Sequence, residues 1–322
     1  MQQWRSFNDE SRDFTLPMTE IIGDNATGKT NTLEAVYFAL TGKSFRAKDG
    51  ELISYDNDWT RVELTFETGE TLVATIDFRT GRLSKVRKID DKSVGSVTVW
   101  PVVLFEPNFI GVVSGSAELR RSWLDEVLTQ LHPEYAVSLK IYQRALRQRN
   151  ALLKQPSLSP DQVFVWNIKL AETGAILIKH RAEFLSKVAD KIEYHYQQVA
   201  QQKTKIQTNY QPKMSRIGVS ASTMIAALES ALPTDRQRGY TTIGPHRDDI
   251  EFLRDGHSLL KTGSRGEQRT LAIALKQTEL EILKELLDRD PILLLDDVAS
   301  ELDATRSQLN LPAVQTILTK TN

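Results

Sequence analysis

The stretch Gly23-Asp24-Asn25-Ala26-Thr27-Gly28-Lys29-Thr30 decides the fold of this chain. Its spacing, G-x-x-x-x-G-K-[ST], is that of a phosphate-binding loop, or Walker A motif. Glycines allow backbone N–H groups to turn inward around a polyphosphate, where a Cβ atom would clash. We therefore predict that these eight residues and Asn31 bind a nucleotide. Lys29 is the predicted catalytic cation on the β- and γ-phosphates, and the Thr30 hydroxyl is a predicted ligand of Mg²⁺.

The residues on either side of this loop support the assignment. Ile21 and Ile22 end a short apolar run that is typical of a strand, and residues 31–40 have the composition of a helix. The positive end of such a helix points at a bound anion. The predicted helix has one apolar face, formed by Leu33, Val36, Tyr37 and Leu40. The alternative is a glycine-rich turn between strand and helix that binds no ligand.

Composition limits the class of protein. The chain has 322 residues, no cysteine and a formal net charge of −1. This length suits one large domain or two ordinary ones, and the lack of cysteine excludes disulfides and thiolate metal sites. No apolar run approaches the length of a membrane span, and the N-terminus lacks a signal-peptide core. We therefore expect a cytoplasmic protein with no membrane partner, in which any DNA-binding surface comes from local clusters of basic residues.

The pattern along the chain predicts three segments. Residues 1–115 contain the phosphate loop, a strand pair at 62–67 and 71–78, and an apolar strand within 97–105. Residues 116–204 are dominated by helix formers, with breaks at Pro133 and at 156–160, which predicts an antiparallel helical arm. Residues 205–322 return to strands and turns and then to a helix from about 266 to 287. We predict an α/β head built from 1–115 and 205–322, with the helical lobe 116–204 inserted.

The run Pro291-Ile292-Leu293-Leu294-Leu295-Asp296-Asp297 is the second half of the predicted nucleotide site. Apolar residues followed by a carboxylate are typical of a buried parallel strand that ends at the ligand-binding edge of the sheet. Asp296 is then placed to bind Mg²⁺, directly or through water. Asp297 is placed to orient or deprotonate the attacking water. An ordinary core strand with acidic residues in its exit turn is the alternative.

Further motifs show a resemblance to a known family. Ser264-Arg265-Gly266-Glu267-Gln268-Arg269 precedes a helix, as the signature motif of ABC-type ATPases does, and Ser300-Glu301-Leu302-Asp303 follows the acidic run as their D-loop does. The insert between the two halves resembles the SMC-like branch of these ATPases. Within that branch the chain is similar to the RecF family. The segments that carry this resemblance are 28–31, 41–46, the Arg-Gln-Arg-Asn run within 142–154, Gly244-Pro245-His246-Arg247-Asp248-Asp249 and 293–303.

The resemblance implies a P-loop NTPase head of the ABC/SMC-like kind and an ATP-bridged homodimer. The phosphate loop of one subunit would face the signature motif of the other, with Ser264, Gly266 and Asp303 at the nucleotide. It also implies weak ATP hydrolysis stimulated by DNA, binding to junctions of duplex and single strand, and a role in recombinational gap repair and replication-fork maintenance. The implied partners are DNA and the RecR and RecO proteins, which help to load RecA, and the implied location is the bacterial cytoplasm near the nucleoid.

The chain departs from the family pattern at several positions. The usual first strand is missing and only Trp4-Arg5-Ser6-Phe7 remains of that region, so we expect an incomplete sheet edge beside the adenine. The signature motif carries Glu267, which would repel a γ-phosphate unless it points away. Glu106 stands where a Q-loop glutamine is expected, and no histidine occupies the usual switch position, where RecF-like proteins have threonines. Each departure would lower hydrolysis without abolishing ATP binding.

Basic residues form two candidate DNA-binding clusters. Lys140, Arg144 and Arg147 lie at i, i+4 and i+7 on the first long helical stretch and therefore share a face. Lys43 and Arg46 follow the phosphate-loop helix. Both clusters predict contacts with DNA phosphates, and a solvated helix face is the alternative. In the 244–249 segment, His246 is predicted to be structural and Arg247 to pair with an acidic residue.

Two other functional classes remain open at this point. One is a DNA-binding scaffold that senses ATP with little or no hydrolysis, which the departures at the signature motif and the N-terminus favour. The other is the nucleotide-binding subunit of an ABC transporter. The helical insert and the missing Q-loop glutamine argue against a transporter subunit.

Overall fold

The computed structural model describes residues 1–95, 98–157, 159–214, 219–297 and 314–321, with the side chain of Pro160 excluded. The strands are β1 (Gln2–Trp4), β2 (Phe7–Asp9), β3 (Met18–Ile22), β4 (Trp59–Thr65), β5 (Thr71–Asp77), β6 (Ser84–Ile89), β7 (Lys92–Ser93), β8 (Val102–Phe105), β9 (Ile206–Gln211), β10 (Asp249–Arg254), β11 (His257–Ser258), β12 (Ile292–Leu295) and β13 (Thr316–Lys320). The helices are α1 (Lys29–Thr41), α2 (Gly111–Ser114), α3 (Ala117–Leu131), α4 (Pro133–Leu153), α5 (Pro160–Ala200), α6 (Ala221–Arg238), α7 (Leu259–Thr262) and α8 (Arg265–Leu286).

The chain divides into two compact units, one formed by residues 1–109 and 279–322 and the other by residues 110–278. The sequence predicted a helical lobe at 116–204 and placed everything after residue 204 in the head. The structure groups β9, β10, β11 and α6 with the helices instead, because β9 packs on α5 and β10 packs on α3. The predicted boundaries of the functional domains stay a prediction.

The first unit contains a four-stranded sheet with the order β3-β13-β12-β8, in which every neighbouring pair is parallel. The strands β8 and β12 are short apolar runs, as strands covered on both faces usually are, whereas β3 at the edge of the sheet is partly exposed. Because they are parallel, their carboxyl ends lie at one edge of the sheet. The phosphate loop follows β3 and Asp296 follows β12, so the topology brings the two ends of the chain to that edge.

A second sheet of the same unit is antiparallel, with the order β2-β1-β4-β5-β6-β7. The predicted strand pair corresponds to β4 and β5, which turn at Gly69 with a φ of 87°. The expectation of an incomplete N-terminal edge needs correction in part. Residues 2–4 and 7–9 do form strands there, but β1 meets β4 only at the pair Gln2–Arg61.

Helix α1 packs against both sheets of the first unit. All of its residues from Thr32 to Thr41 are buried. Leu33, Val36, Tyr37 and Leu40, which the sequence predicted to share a face, are buried, and the other residues are buried as well because sheets cover the helix on two sides. Gly42 ends the helix at a φ of 74°, and buried Arg87 donates from Nε to the Ala39 carbonyl at 2.9 Å. A cation at this position interacts favourably with the negative C-terminal end of the helix. Burial lowers the pKa of Arg87 to about 10.

The second unit is mainly helical, as predicted. Helices α4 and α5 run antiparallel, since Arg149 bonds to Asn167 at one end of the pair and Tyr135 bonds to Arg181 at the other. The helix α5 is 41 residues long. A three-stranded antiparallel sheet, β11-β10-β9, completes this unit. Among the described residues, no helix combines the length and the apolar character needed to cross a membrane.

Candidate functional site

The phosphate loop connects β3 to α1 in a conformation that its glycines make possible. Gly28 has a φ of 88°, and a Cβ atom at this position would lie 2.5 Å from the ring of Phe7. The Lys29 side chain curls into the loop, where Nζ donates to the carbonyl oxygens of Gly23 and Asp24 at 2.5 and 2.7 Å. The loop therefore holds a buried cation at its centre, where the spacing of the motif predicts the β- and γ-phosphates.

The acidic half of the site lies directly beside this loop. Thr30 Oγ1 donates to Asp296 Oδ1 at 2.9 Å, which joins residues that are 266 positions apart. Asp296 is buried at the end of β12, whereas the next residue, Asp297, is exposed. Asp297 has a φ of 48°, a left-handed conformation that is uncommon for residues other than glycine and is often found at functional sites.

The neighbouring strand β13 supplies two threonines that hold these carboxylates. Thr319 Oγ1 donates to Asp296 Oδ1 at 2.9 Å and accepts from the Asp297 N–H at 2.8 Å. Thr321 Oγ1 donates to Asp297 Oδ1 at 3.3 Å. The resemblance to RecF-like proteins predicts threonines in place of a switch histidine, but the sequence alone does not say which threonines these are. The order β3-β13-β12 places Thr319 and Thr321 beside the two carboxylates.

The residues at this edge fit a magnesium nucleotide. The Thr30 hydroxyl and an Asp296 carboxylate oxygen are both hard oxygen ligands, and they already lie close enough to share one cation. Among the described residues, no group of three or more His, Asp or Glu side chains could enclose a metal. Mg²⁺ usually takes one or two protein ligands and completes its shell with phosphate oxygens and water, and Thr30 with Asp296 supplies such a pair.

Helix α1 is fixed on its other side by a charged network. Buried Glu34 accepts from Arg5 Nε at 2.9 Å, from Arg46 Nη2 at 3.0 Å and from Ser44 Oγ at 2.6 Å. Burial acts to raise the pKa of Glu34, but the hydrogen bonds from Arg5 and Arg46 outweigh it and lower this pKa below 4.5. The Trp4 indole also donates to the Asn31 carbonyl at 2.9 Å. These contacts anchor the N-terminal residues to the phosphate-loop helix.

The signature motif lies at the start of α8, in the second unit. Gln268 N–H donates to the Ser264 carbonyl at 3.0 Å, and Glu267 N–H donates to Ser264 Oγ at 3.3 Å. The Glu267 carboxylate accepts from Ser264 N–H at 2.8 Å and forms an ion pair with Arg254. Ser264 and Glu267 therefore make a reciprocal capping box. Arg254 compensates the charge at Glu267 that was expected to repel a phosphate.

Comparisons with known proteins agree with this arrangement. A family model described as an AAA domain matches residues 1–310. The DNA replication and repair protein RecF of Halalkalibacterium halodurans is 36% identical over 341 residues, which cover 100% of this chain and 91% of the relative. The chain belongs to the RecF family. The predicted P-loop head of the ABC/SMC-like kind is thereby confirmed.

Solved structures of RecF proteins have the same fold. One, described as the recombination mediator protein RecF-ATPrS in the RecFOR pathway, matches with a TM-score of 0.90 at 28% identity and covers 100% of this chain and 91% of that chain. Another, described as RecF-ATP in the same pathway, matches with a TM-score of 0.89 at 28% identity, covering 100% and 90%. Both matches span the full length of this RecF family member.

The Arg-Gln-Arg-Asn run and the 244–249 segment contribute to a buried polar network in the second unit. Arg149 is fully buried and donates to Asp235 at 2.7 Å, to Asn167 at 2.7 Å and to Thr241 at 2.8 Å. His246 Nε2 lies 3.0 Å from the Thr241 carbonyl, so this nitrogen carries the proton. The Nδ1 atom of His246 therefore accepts from Tyr142 Oη at 2.6 Å. The prediction of a structural histidine agrees with this geometry.

The predicted partner of Arg247 needs correction. Arg247 donates to the Thr241 carbonyl at 3.3 Å and packs over the Tyr240 ring at 4.7 Å, rather than pairing with an acidic side chain among the described residues. The acidic residues of the same segment bind other arginines. Arg120 pairs with Asp249 at 2.6 Å, and Arg181 Nη1 lies 3.9 Å from Asp248.

The predicted DNA-binding residues fall into two groups. Lys140, Arg144, Arg147 and Lys43 have exposed side chains, as a surface that contacts phosphates requires. Arg46 is bonded to Glu34 and Asn31, so its guanidinium is already engaged beside α1.

Of the residues predicted to bind the nucleotide and its metal, the structure brings together Lys29, Thr30, Asp296 and Asp297. Asp303 and the rest of the D-loop lie outside the described residues.

A groove of about 1060 Å³ lies in the first unit but away from the phosphate loop. It is lined by residues at the start of β3, β12 and β13, including Pro17, Ile292 and Val314. These mark the amino end of the parallel sheet, whereas ligands of open α/β sheets bind at the carboxyl end. The volume of this groove therefore does not identify the nucleotide site of this RecF family member.

Proposed function

We propose that this RecF family member is an ATP-dependent DNA-binding protein of DNA replication and recombinational repair. The observation that carries the proposal is the convergence of Lys29, Thr30, Asp296 and Asp297 at one sheet edge, from opposite ends of the chain. The relatives are DNA replication and repair proteins, and the matched structures carry ATP or ATPrS in their descriptions. Fold and site therefore support the same ligand.

Each residue at this edge has a role that its geometry allows. Lys29 binds the phosphates and exchanges its two carbonyl partners for phosphate oxygens. Thr30 and Asp296 hold the metal, and Mg²⁺, when bound, neutralises charge on the phosphates. Asp297 orients or deprotonates the attacking water, and its exposed position leaves room for that water. Thr319 positions both acidic residues, because its hydroxyl donates to the Asp296 carboxylate and accepts from the Asp297 N–H.

The nucleotide also bridges two copies of the chain. Ser264 and Gly266 at the start of α8 contact the γ-phosphate held by the partner subunit's Lys29, with Asp303 near the same nucleotide. A serine hydroxyl and the first amides of a helix favour an anion. Because the Ser264 oxygen accepts from Glu267 N–H, its own hydrogen stays available to donate to a phosphate. ATP thus drives dimerisation, and slow hydrolysis stimulated by DNA releases the dimer.

The dimer acts at junctions between duplex and single-stranded DNA at gaps and replication forks. It works with RecO and RecR to load RecA, in the cytoplasm and close to the nucleoid. The family name and the RecFOR pathway of the matched structures support this role. Exposed Lys140, Arg144 and Arg147 on α4, and Lys43 after α1, contact the DNA phosphates.

ATP-driven dimerisation tests the proposal. Light scattering should show a shift from monomer to dimer with Mg²⁺-ATP, and Lys29→Met and Ser264→Arg should each abolish it. Lys92→Met and Ser222→Arg are matched controls, because both positions are exposed and lie away from the motifs. If both motif variants dimerise at the parent's ATP concentration, the proposed mechanism is wrong.

The DNA-binding face is tested separately. Arg144→Ala and Arg147→Ala should weaken binding to gapped DNA and lower the slope of affinity against salt by about one ion for each contact removed. Lys169→Ala is the control, since Lys169 is also exposed on a helix of this unit and pairs with Glu172. An unchanged salt slope in both arginine variants would exclude this face.

A second candidate is a DNA scaffold that senses ATP with little or no hydrolysis. The carboxylate of Glu267 on the Ser264 amide favours it, because a negative charge at this position opposes a γ-phosphate. A turnover assay with saturating Mg²⁺-ATP and gapped DNA separates the two candidates. Dimerisation without phosphate release would support the scaffold.

A further inference from the structure

The Glu267 carboxylate is shared between two partners at the start of α8. Oε2 accepts from Ser264 N–H at 2.8 Å, while Oε1 pairs with Arg254 at the end of β10. Neither side chain is fully buried, with 28% of Arg254 and 31% of Glu267 exposed. A carboxylate in this position interacts favourably with the positive N-terminal end of the helix.

This contact competes with the ligand proposed for the same helix end. A γ-phosphate that approaches Ser264 needs the free N–H groups and the positive field of α8. The Glu267 carboxylate occupies the Ser264 amide and adds a like charge beside the phosphate. The chain therefore carries an internal competitor for the anion that its partner subunit presents.

Arg254 supplies the counter-charge. Its Nε atom is buried and has no hydrogen-bond partner among the described residues, and Asp255 Oδ2 lies 3.8 Å away, too far for a hydrogen bond. An unsatisfied buried donor is unfavourable for stability. The contact with Glu267 places this arginine at the signature motif.

We propose that Arg254 is a positioning residue that draws Glu267 off the Ser264 amide and thereby sets how much ATP is needed to close the dimer. With Glu267 on Ser264, the start of α8 is blocked for a phosphate. With Glu267 held by Arg254 alone, the amide is free and the local charge is balanced. This inference rests on the proposed function, because it needs ATP to bridge Ser264 and the partner subunit's Lys29.

The test uses Arg254→Gln, Glu267→Gln and the double variant, with the ATP concentration for half-maximal dimerisation as the measurement. Arg254→Gln should raise this concentration about 3- to 10-fold, a range typical of coupled neighbours. Glu267→Gln should lower it about 3-fold and the double variant should match Glu267→Gln, since Arg254 acts only through the carboxylate. Glutamine can still accept from the Ser264 N–H, so Glu267→Gln keeps the helix start and its expected effect comes from removal of the like charge alone.

Two further measurements separate positioning from a general structural effect. The affinity of the monomer for ATP should stay at the parent value in all three variants, because the phosphate loop belongs to the other unit. Arg61→Gln and Glu63→Gln, which remove an exposed Arg–Glu pair from β4, should leave dimerisation unchanged.

The failures of the two proposals are distinguishable. If the parent dimerises on ATP but Arg254→Gln and the double variant do so at the parent's concentration, the positioning role is overturned and the proposed function stands. A double variant whose effect is the sum of the two single effects, or one as unfavourable as Arg254→Gln, also overturns it. If the parent itself does not dimerise on ATP, the proposed function fails and the inference fails with it.

Discussion

The nucleotide edge of the first unit and the polar core of the second treat buried charge in opposite ways. At the nucleotide edge, Lys29 and Asp296 are 9% and 8% exposed, and their described partners are carbonyl and hydroxyl groups rather than opposite charges. In the second unit, Arg149 is bonded to Asp235 and Arg181 to Asp125. Within the part of the chain that the structure describes, the nucleotide edge leaves these two charges without a counter-ion, whereas the second unit pairs its buried charges.

The difference separates charges that serve a ligand from charges that serve the fold. A buried cation held only by carbonyls gains when an anion arrives, and a buried carboxylate held by hydroxyls gains when a metal arrives. A buried ion pair is already complete, and removing one partner leaves the other uncompensated. Substitutions at the first kind of charge should therefore affect ligand binding, and those at the second kind should affect stability.

The largest expected effect is at Arg149. Arg149→Ala leaves Asp235 buried without a counter-ion and should lower the free energy of unfolding by about 3–5 kcal/mol. Arg147→Ala, two residues away on the exposed face of α4, should change it by less than about 0.5 kcal/mol. Urea denaturation of both variants measures the difference. Equal stability of the two variants would show that the buried pair is not structural.

The opposite behaviour is expected of Lys29. Lys29→Met removes charge-assisted bonds to the phosphates and should weaken ATP binding about 10- to 100-fold, as loss of about 1.5–3 kcal/mol implies. The free energy of unfolding should not fall, because the ammonium has only carbonyl partners among the described residues. Isothermal titration and urea denaturation are both needed, with exposed Lys92→Met as the control. A loss of stability like that of Arg149→Ala would break the comparison.

A pH measurement sharpens the description of the second unit. Burial lowers the pKa of His246 to about 4, from an ordinary value of 6.5. Between these values the unfolded chain binds a proton that the native state does not, so stability falls as the pH decreases. From pH 6.5 to pH 5 the loss from this group should be about 1.5 kcal/mol. His246→Gln should remove that part of the pH dependence.

Neighbouring groups set the control for that measurement. Burial also raises the pKa of Asp248 above 3.8, which acts in the opposite direction as the pH falls. Tyr142, which donates to His246, stays neutral over this range, because burial raises its pKa above 10. The parent and His246→Gln share these groups, so the difference between their slopes reports the histidine. Identical slopes would mean that His246 is not held neutral.

The nucleotide edge could be predicted because its chemistry restricts residue type at fixed spacing. Glycines, a lysine and a threonine are required in one short loop, and a carboxylate is required after an apolar strand. Thr319 could not be assigned in this way, since no local pattern says that β13 lies between β3 and β12. That order depends on packing between segments that are distant in the sequence.

Arg149 shows a signal that was present but not used. Its spacing of five residues from Arg144 rotates it by about 140° from the exposed basic face of α4. It shares a face with the buried residues Tyr142, Ala145 and Leu153. Helical periodicity therefore places Arg149 on the buried face, apart from the exposed arginines of the same helix. The identity of its partner, Asp235 on α6, came only from the tertiary structure.

The smallest expected effect is at Thr319, where the nucleotide edge depends on neutral hydrogen bonds. Thr319→Val keeps the shape of the side chain but removes the hydroxyl that binds both Asp296 and the Asp297 N–H. Loss of this hydrogen bond should raise the activation free energy of hydrolysis by about 1 kcal/mol and so lower ATP turnover about fivefold. Thr319→Ser keeps the hydroxyl and should restore turnover. Thr60→Val is the matched control, because Thr60 is a buried strand threonine whose hydroxyl donates to the Gln2 carbonyl at 2.8 Å. It should lower stability and leave turnover unchanged. If Thr319→Val and Thr60→Val change turnover equally, Thr319 contributes to the stability of the fold and does not position the carboxylates of Asp296 and Asp297.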